Sequence, residues 1–188
     1  MTMPLVLFAA LLAATGLMRL GELAVSLRRM RARPEAVVDE AWLFPLMAVL
    51  HAGVVALPLA EVVLLERLFS PAIALAAAML LALATALRVW TLASIGPAWN
   101  VRVVIPQADA ISTRGPYRWI RHPNYLVVIL ELAALPMVHT AWISALVLGA
   151  LNGFVLTHRI RTEEAMLARI PAWSAAMAGR KRLIPGVF

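Results

Sequence analysis

Leu126-Val-Val-Ile-Leu-Glu-Leu-Ala-Ala-Leu-Pro-Met-Val-His-Thr-Ala-Trp-Ile-Ser-Ala-Leu-Val-Leu-Gly-Ala-Leu-Asn-Gly-Phe-Val-Leu-Thr-His158 is an apolar stretch of about 33 residues, broken near its middle by Pro136 and His139. A membrane-crossing helix needs about 20 apolar residues. The stretch is therefore too long for one span and suits two antiparallel helices, a hairpin. Its first arm is short for a full crossing unless it starts at Pro123, where proline fits the first turn of a helix because the N–H it lacks has no partner there anyway. Glu131 lies within that arm with no basic neighbour in sequence. A carboxylate so placed must be protonated or paired across helices, and ionisable groups inside a membrane are functional candidates by default.

Outward from the hairpin, three further apolar runs, Leu5 to Leu27, Trp42 to Leu65 and Ala72 to Leu92, are each long enough to cross. The chain is 63% hydrophobic and 14% charged, with mean hydropathy +0.86, more apolar surface than one soluble core can hide. These features predict an all-α integral membrane protein, a multi-pass bundle of about five transmembrane helices. Residues 1–92 form the first three helices, and 93–188 hold a loop, the helical hairpin and a C-terminal helix. Of the 17 Lys and Arg residues, 14 fall on one side of this map, including Arg28, Arg29, Arg31, Arg33, Arg102, Arg114, Arg118 and Arg121. The positive-inside rule then puts the N-terminus outside and the long loop and C-terminus in the cytoplasm, as in a bacterial inner membrane. The net charge of +7 flanks apolar spans, so it matches anionic membrane lipids and not nucleic acid. The first run lacks a positively charged leader and reads as a retained helix rather than a signal peptide. With no cysteine, disulfides and thiolate chemistry are excluded.

Between the third run and the hairpin, Ser94 to Tyr125 contains Gly96, Pro97, Trp99, Asn100, Pro106, Gly115, Pro116 and Pro123. Irregular backbone of this kind is stable only within protein or beside water, and its Trp and Tyr residues, Trp99, Tyr117, Trp119 and Tyr125, argue for a cap that forms a site rather than a linker. Interfacial anchoring is the plainer reading of the same aromatics. Gly115-Pro-Tyr-Arg-Trp-Ile-Arg-His-Pro-Asn-Tyr125 is its densest run. Gly-Pro marks a turn and His-Pro forces an extended residue before a helix start, so His122 is expected at a helix N-terminus, where free N–H groups favour a ligand carboxylate.

A second constellation, Asn152, His158, Arg159, Arg161, Glu163 and Glu164, closes the last span. Asn152, Arg159 and Glu163, at i, i+7 and i+11, share one helix face. Alone, Arg159 and Glu163 read first as an i, i+4 surface ion pair; Asn152 inside the span shifts the balance toward a polar interior face. Arg19 and Glu22, at i, i+3, are expected to pair, and Arg88 to snorkel to the cytoplasmic surface. His51 and His139 read as ordinary interior histidines, and no cluster with metal-ligand spacing is present.

The Gly115 to Leu126 run resembles the signature of the isoprenylcysteine carboxyl methyltransferase family, an Arg-His-Pro-x-Tyr core, and Arg159-Ile-Arg-Thr-Glu-Glu164 is similar to the family's run after its last membrane helix. The likeness extends from Leu92 to Leu167. It implies an S-adenosyl-L-methionine-dependent methyltransferase with a cytoplasmic cofactor pocket and a lipid-facing tunnel for a lipophilic or prenylated acceptor. Carried over, it puts His122, Pro123 and Tyr125 at the cofactor, Arg159 and Glu163 at the reacting atoms, and Glu164 at the cofactor or as a cap; beside these, Tyr117 is expected at the cofactor and Asn152, Glu131 and Trp99 along the substrate path. Arg19-Leu-Gly-Glu22, Leu50-His51 and Glu131 look more like a bacterial branch associated with type III polyketide synthases, which implies an alkylpyrone or alkylresorcinol hydroxyl as acceptor.

Methyl transfer from a sulfonium is an in-line displacement that depends on alignment and exclusion of water. An ionised acceptor needs only orientation, by Arg159, whereas a phenol-like hydroxyl needs a base, for which Glu163 and His158 are the candidates. Two rivals stay open: an NADPH-dependent membrane reductase of the sterol-reductase type, which shares a related C-terminal pattern, and a non-catalytic membrane scaffold. The acceptor and the oligomeric state are not legible in the sequence.

Overall fold

The computed structural model describes residues 2–32, 43–101 and 111–185. Trp42, Arg33, Arg102 and Pro106 lie outside them. The described residues form a multi-pass helical bundle: α1 (Met3–Ala32), α2 (Leu43–Leu64), α3 (Pro71–Ile95), α4 (Pro123–Met137), α5 (Trp142–Leu167) and a short α6 (Pro171–Met177). Four of these, α1, α2, α3 and α5, are long and apolar enough to cross a membrane. The hairpin is present, and its first arm starts at Pro123, the earlier start that the sequence allows. At 15 residues α4 rises about 22 Å, short of a hydrocarbon core of about 30 Å.

A short helix is tolerated here because protein surrounds it. Val127, Leu132, Ala134 and Leu135 of α4 are buried, and they feed two apolar clusters. One joins Leu43, Met47 and Leu50 of α2 to Leu132 and to Leu148 and Val155 of α5; the other joins Phe8 and Leu12 of α1 to Val62, Leu135 and Ala141. By contrast, α1, α3 and α5 expose large apolar side chains such as Leu7, Leu20, Leu83, Leu146 and Phe154, the surface that lipid would cover.

The loops gather at two ends. At one, Glu61 receives Ser144 N at 2.6 Å and Ser144 Oγ at 2.7 Å, Ile143 N at 3.2 Å and Arg67 at 3.0 Å, so its carboxylate meets the otherwise unpaired N–H groups that open α5. Buried His139 packs there between Phe8 and Phe69, in keeping with a structural role. The other end carries the irregular segments, with Arg114, Arg118 and Arg121 before α4 and Arg180 and Arg182 after α6. There Arg29 donates to the carbonyls of Trp99 (2.8 Å) and Gly96 (3.3 Å), and Val101 N donates to buried Ser26 Oγ at 2.9 Å, fastening the loop after α3 to α1.

Inside the bundle, α1, α3 and α4 meet through charge. Arg19 pairs with Glu22, as predicted from their spacing, and also with Glu131. The expectation that Arg88 snorkels outward is corrected: its side chain is 4% exposed, and it donates to Glu131 at 2.7 and 3.0 Å and to Glu22 at 2.9 Å. Two carboxylates within reach hold the guanidinium inside, where a lone Arg would have turned to water. Glu131 is correspondingly paired across helices. Removing one member strands a charge, and breaking a buried pair in this way costs about 3–5 kcal/mol. Glu131→Ala should therefore lower the unfolding midpoint in detergent strongly, and the double variant Glu131→Leu, Arg88→Met should recover much of the loss.

Candidate functional site

The capped end encloses a cavity of about 200 Å³, lined by residues from α1 to α6 and both irregular segments. Its roof depends on Gly115, which has φ +54°, in the left-handed region; a Cβ there would lie 2.0 Å from Ser94 Oγ. Glycine is thus required twice, for its backbone conformation and for close approach to α3. Tyr117 follows in a 3-10 turn at Gly115–Arg118, is buried and lines the cavity. Burial pushes its hydroxyl pKa well above the ordinary tyrosine value.

His122 immediately precedes α4, with Pro123 in the helix's first turn, as the His-Pro pair predicts. Its ring is held from several directions. The imidazole is 5.3 Å from the Tyr125 ring in a stacked arrangement, and Nε2 is 3.2 Å from Glu164 Oε1. Its backbone N donates to Arg182 O at 3.0 Å, while Arg121 N donates to Lys181 O at 2.8 Å. The segment after α6 therefore lies beside the signature loop like a short strand, with a parallel bridge at Ile120 and Lys181. Glu164 completes the lock by accepting from Arg182 at 2.8 and 2.9 Å and from Arg121 at 3.3 Å. The Glu164 carboxylate holds Arg182 above the usual arginine pKa.

The two motif runs converge on Tyr125. Its hydroxyl donates to Glu163 and accepts from Arg159 Nε at 3.3 Å, and the Arg159 guanidinium lies 5.6 Å from the ring centroid. Arg159, buried, also donates to Val101 O at 2.7 Å and to the Met47 thioether. Asn152 lies on the same face of α5, buried and lining the cavity.

Of the residues singled out from sequence, His122, Tyr125, Tyr117, Arg159, Glu163, Asn152 and Trp99 all line this cavity. Pro123 and Glu164 stand behind it, the first starting α4 and the second tying the loop to the tail. Glu131 borders a second cavity of about 230 Å³, lined chiefly by apolar residues of α1, α2 and α4. His158 packs edge-on against Phe154 and is not among the residues lining the first cavity. Sequence reasoning passed over Asn124, Arg121 and His51, all on the cavity wall. Asn124 stands inside the His-Pro-x-Tyr run itself, at the second position of α4, so the signal was available. Among the described residues, Trp99 Nε1, Asn100 Oδ1, Arg121 Nε and Asn124 Oδ1 are buried without a hydrogen-bond partner, and all four residues line the cavity. Buried polar atoms are nearly always satisfied, so these four leave hydrogen-bonding capacity on one cavity wall.

A helical membrane protein with a capped polar cavity at one end and an apolar one beside it is the class that fold and site define. The model of the isoprenylcysteine carboxyl methyltransferase (ICMT) family matches residues 72–169, just over half of the chain. The chain belongs to that family. It is also 36% identical over 80 residues to the uncharacterized protein YpbQ of Bacillus subtilis (strain 168), a match covering 43% of this chain. The chain spans about half, 48%, of that relative's length.

Gly115→Ala should unseat the roof. The expected result is faster proteolysis of the loop that carries Gly115 to Arg121, with the helices still folded by circular dichroism.

Proposed function

We propose that this chain is an S-adenosyl-L-methionine-dependent O-methyltransferase acting on a lipophilic acceptor at the membrane, with the capped cavity on the cytoplasmic side. One observation carries the reading: the runs Gly115–Tyr125 and Arg159–Glu164, about 40 residues apart in sequence, close on one cavity whose wall holds unsatisfied polar atoms. Those atoms suit the cofactor. The Trp99 indole and Arg121 offer donors, and the Asn100 and Asn124 carboxamides offer acceptors, which together match a ligand bearing an adenine, ribose hydroxyls, an ammonium and a carboxylate. Tyr117 and the stacked His122 and Tyr125 rings add aromatic surface. When bound, the cofactor supplies an electrophilic methyl group on a positively charged sulfur.

The remaining work falls to the chain. Arg159, oriented by Val101 O and the Tyr125 hydroxyl, directs a charge-assisted hydrogen bond toward an acceptor oxygen. Tyr125 couples Arg159 to Glu163, so the three side chains keep a fixed geometry. Glu164 positions His122 and the tail from behind. The bundle and cap exclude water, and holding the reactants aligned contributes several kcal/mol. The adjoining apolar cavity suits a long hydrocarbon tail, and the acceptor classes that fit are a prenylcysteine-like carboxylate or a long-chain alkylpyrone or alkylresorcinol hydroxyl. Four long apolar helices place the chain in a membrane, and the arginine-rich loops favour the cytoplasmic face of a bacterial inner membrane.

Calorimetry with detergent-purified protein tests the reading. S-adenosylhomocysteine should bind while NADPH does not, and His122→Ala should lose that binding while remaining monodisperse. NADPH binding would indicate a reductase, and binding of neither by folded protein a scaffold. Arg159→Lys should bind S-adenosylhomocysteine normally but lower kcat/KM about 10- to 100-fold, the size expected when a hydrogen bond to a charged group worth about 1.5–3 kcal/mol is lost.

A further inference from the structure

The polar and apolar cavities share three lining residues, Arg19, His51 and Val128, so they meet at His51. This histidine of α2 has Nδ1 2.7 Å from the carbonyl oxygen of Met47, one turn earlier. A carbonyl only accepts, so Nδ1 carries the hydrogen and the basic lone pair belongs to Nε2. Among the described residues Nε2 has no protein partner, and the side chain is exposed where the two cavities join. Arg159 reaches the thioether of Met47, which puts His51 one helical turn, about 5.4 Å, from a residue that Arg159 touches.

The charges facing this ring come from every neighbouring element. Arg19 and Glu22 of α1 and Arg159 of α5 act on it electrostatically; behind them stand Arg88 of α3 and Glu131 of α4, joined to Arg19 and Glu22. The four-residue ion cluster is formally neutral, and Glu22 sets a negative charge against those of Arg19 and Arg159. Other proton acceptors at the cavity are engaged: Glu163 receives the Tyr125 hydroxyl and Glu22 receives Arg19 and Arg88. Of the two histidines on this wall, His122 has Nε2 on Glu164 at 3.2 Å and Nδ1 4.0 Å from Glu163, whereas His51 meets no carboxylate among the described residues and leaves Nε2 open to the cavity junction.

We infer that His51 is the general base of the reaction, taking the proton of a neutral hydroxyl acceptor at the junction of the two cavities. The acceptor is therefore a weakly acidic hydroxyl compound with an apolar tail, not a carboxylate, which arrives already ionised and needs no base. The inference rests on the methyltransferase reading. In the step, the acceptor O–H bond breaks and its proton goes to Nε2, while the oxygen's electron pair forms the O–CH3 bond. The C–S bond breaks with its electrons kept by sulfur, which becomes a neutral thioether, and the proton then leaves His51 for water in the capped cavity. A phenol-like hydroxyl of pKa about 10 is scarcely ionised at neutral pH, and general bases typically contribute about 10²- to 10⁴-fold.

The test compares wild type and His51→Asn with a long-chain alkylresorcinol and, separately, a long-chain carboxylate as acceptors. His51→Asn should bind S-adenosylhomocysteine with unchanged affinity yet methylate the resorcinol at least about 100-fold more slowly at pH 7. Its residual rate should climb about tenfold per pH unit toward pH 10 as the phenolate forms unaided. In ¹⁵N-histidine spectra of ligand-free wild type, one Nδ1–H tautomer signal should be present and should vanish in the variant. A loss of rate that is the same at every pH, no loss, or an Nε2–H tautomer would overturn the assignment. Wild type that binds S-adenosylhomocysteine but methylates only carboxylates would overturn it too, while leaving the methyltransferase reading intact; folded wild type that binds no S-adenosylhomocysteine would sink both.

Discussion

Arg19, Glu22, Arg88 and Glu131 carry four formal charges into the apolar part of the bundle, and the way α1, α3 and α4 come together follows from the need to keep those charges in contact. An isolated charge among lipid tails is costly, so each arginine bridges two carboxylates and each carboxylate bridges two arginines. Apolar packing between helices in lipid is weakly directional, because tails are as apolar as leucine side chains. Paired charges are not. They set the rotation of each helix about its own axis, which decides the side chains that face the capped cavity.

The site depends on a second form of satisfaction, at the capped end. Neither motif run is complete alone: His122 has its ring against Glu164, and Tyr125 has its hydroxyl between Arg159 and Glu163. α4 presents one half and α5 the other. Because the hairpin turn between them is short and its far end is fastened by Glu61 and by Thr140, which donates to Leu68 O at 2.7 Å, the two halves are held in register. This makes the reach of α4 across the membrane secondary to its role as a buried post beside α5.

Apolar run length carried most of the fold in sequence, since a span of about 20 residues is a strong local signal. The hairpin was legible from Pro136 and His139, and the start of α4 from Pro123. Arg88 was misjudged because a snorkelling arginine and a buried one look alike until the partner helix is placed; its carboxylates lie 66 and 43 residues away. Arg159 and Glu163 are legible as one helix face and Tyr125 as part of a separate run, yet the hydroxyl that links the three is not, as it depends on the crossing of α4 and α5. His51 reads as an ordinary interior histidine for the same reason: its sequence neighbours are apolar, and its place where two cavities meet depends on how the helices pack.

The pairing of Arg121 and His122 with Lys181 and Arg182 bears on what holds the vessel shut. The backbone that fixes His122 is supplied by residues 60 positions further along the chain, beyond the last long apolar helix among the described residues. A chain cut before Lys181 would keep each of those helices and lose that strut, so the walls of the vessel and its latch are written in separate parts of the sequence.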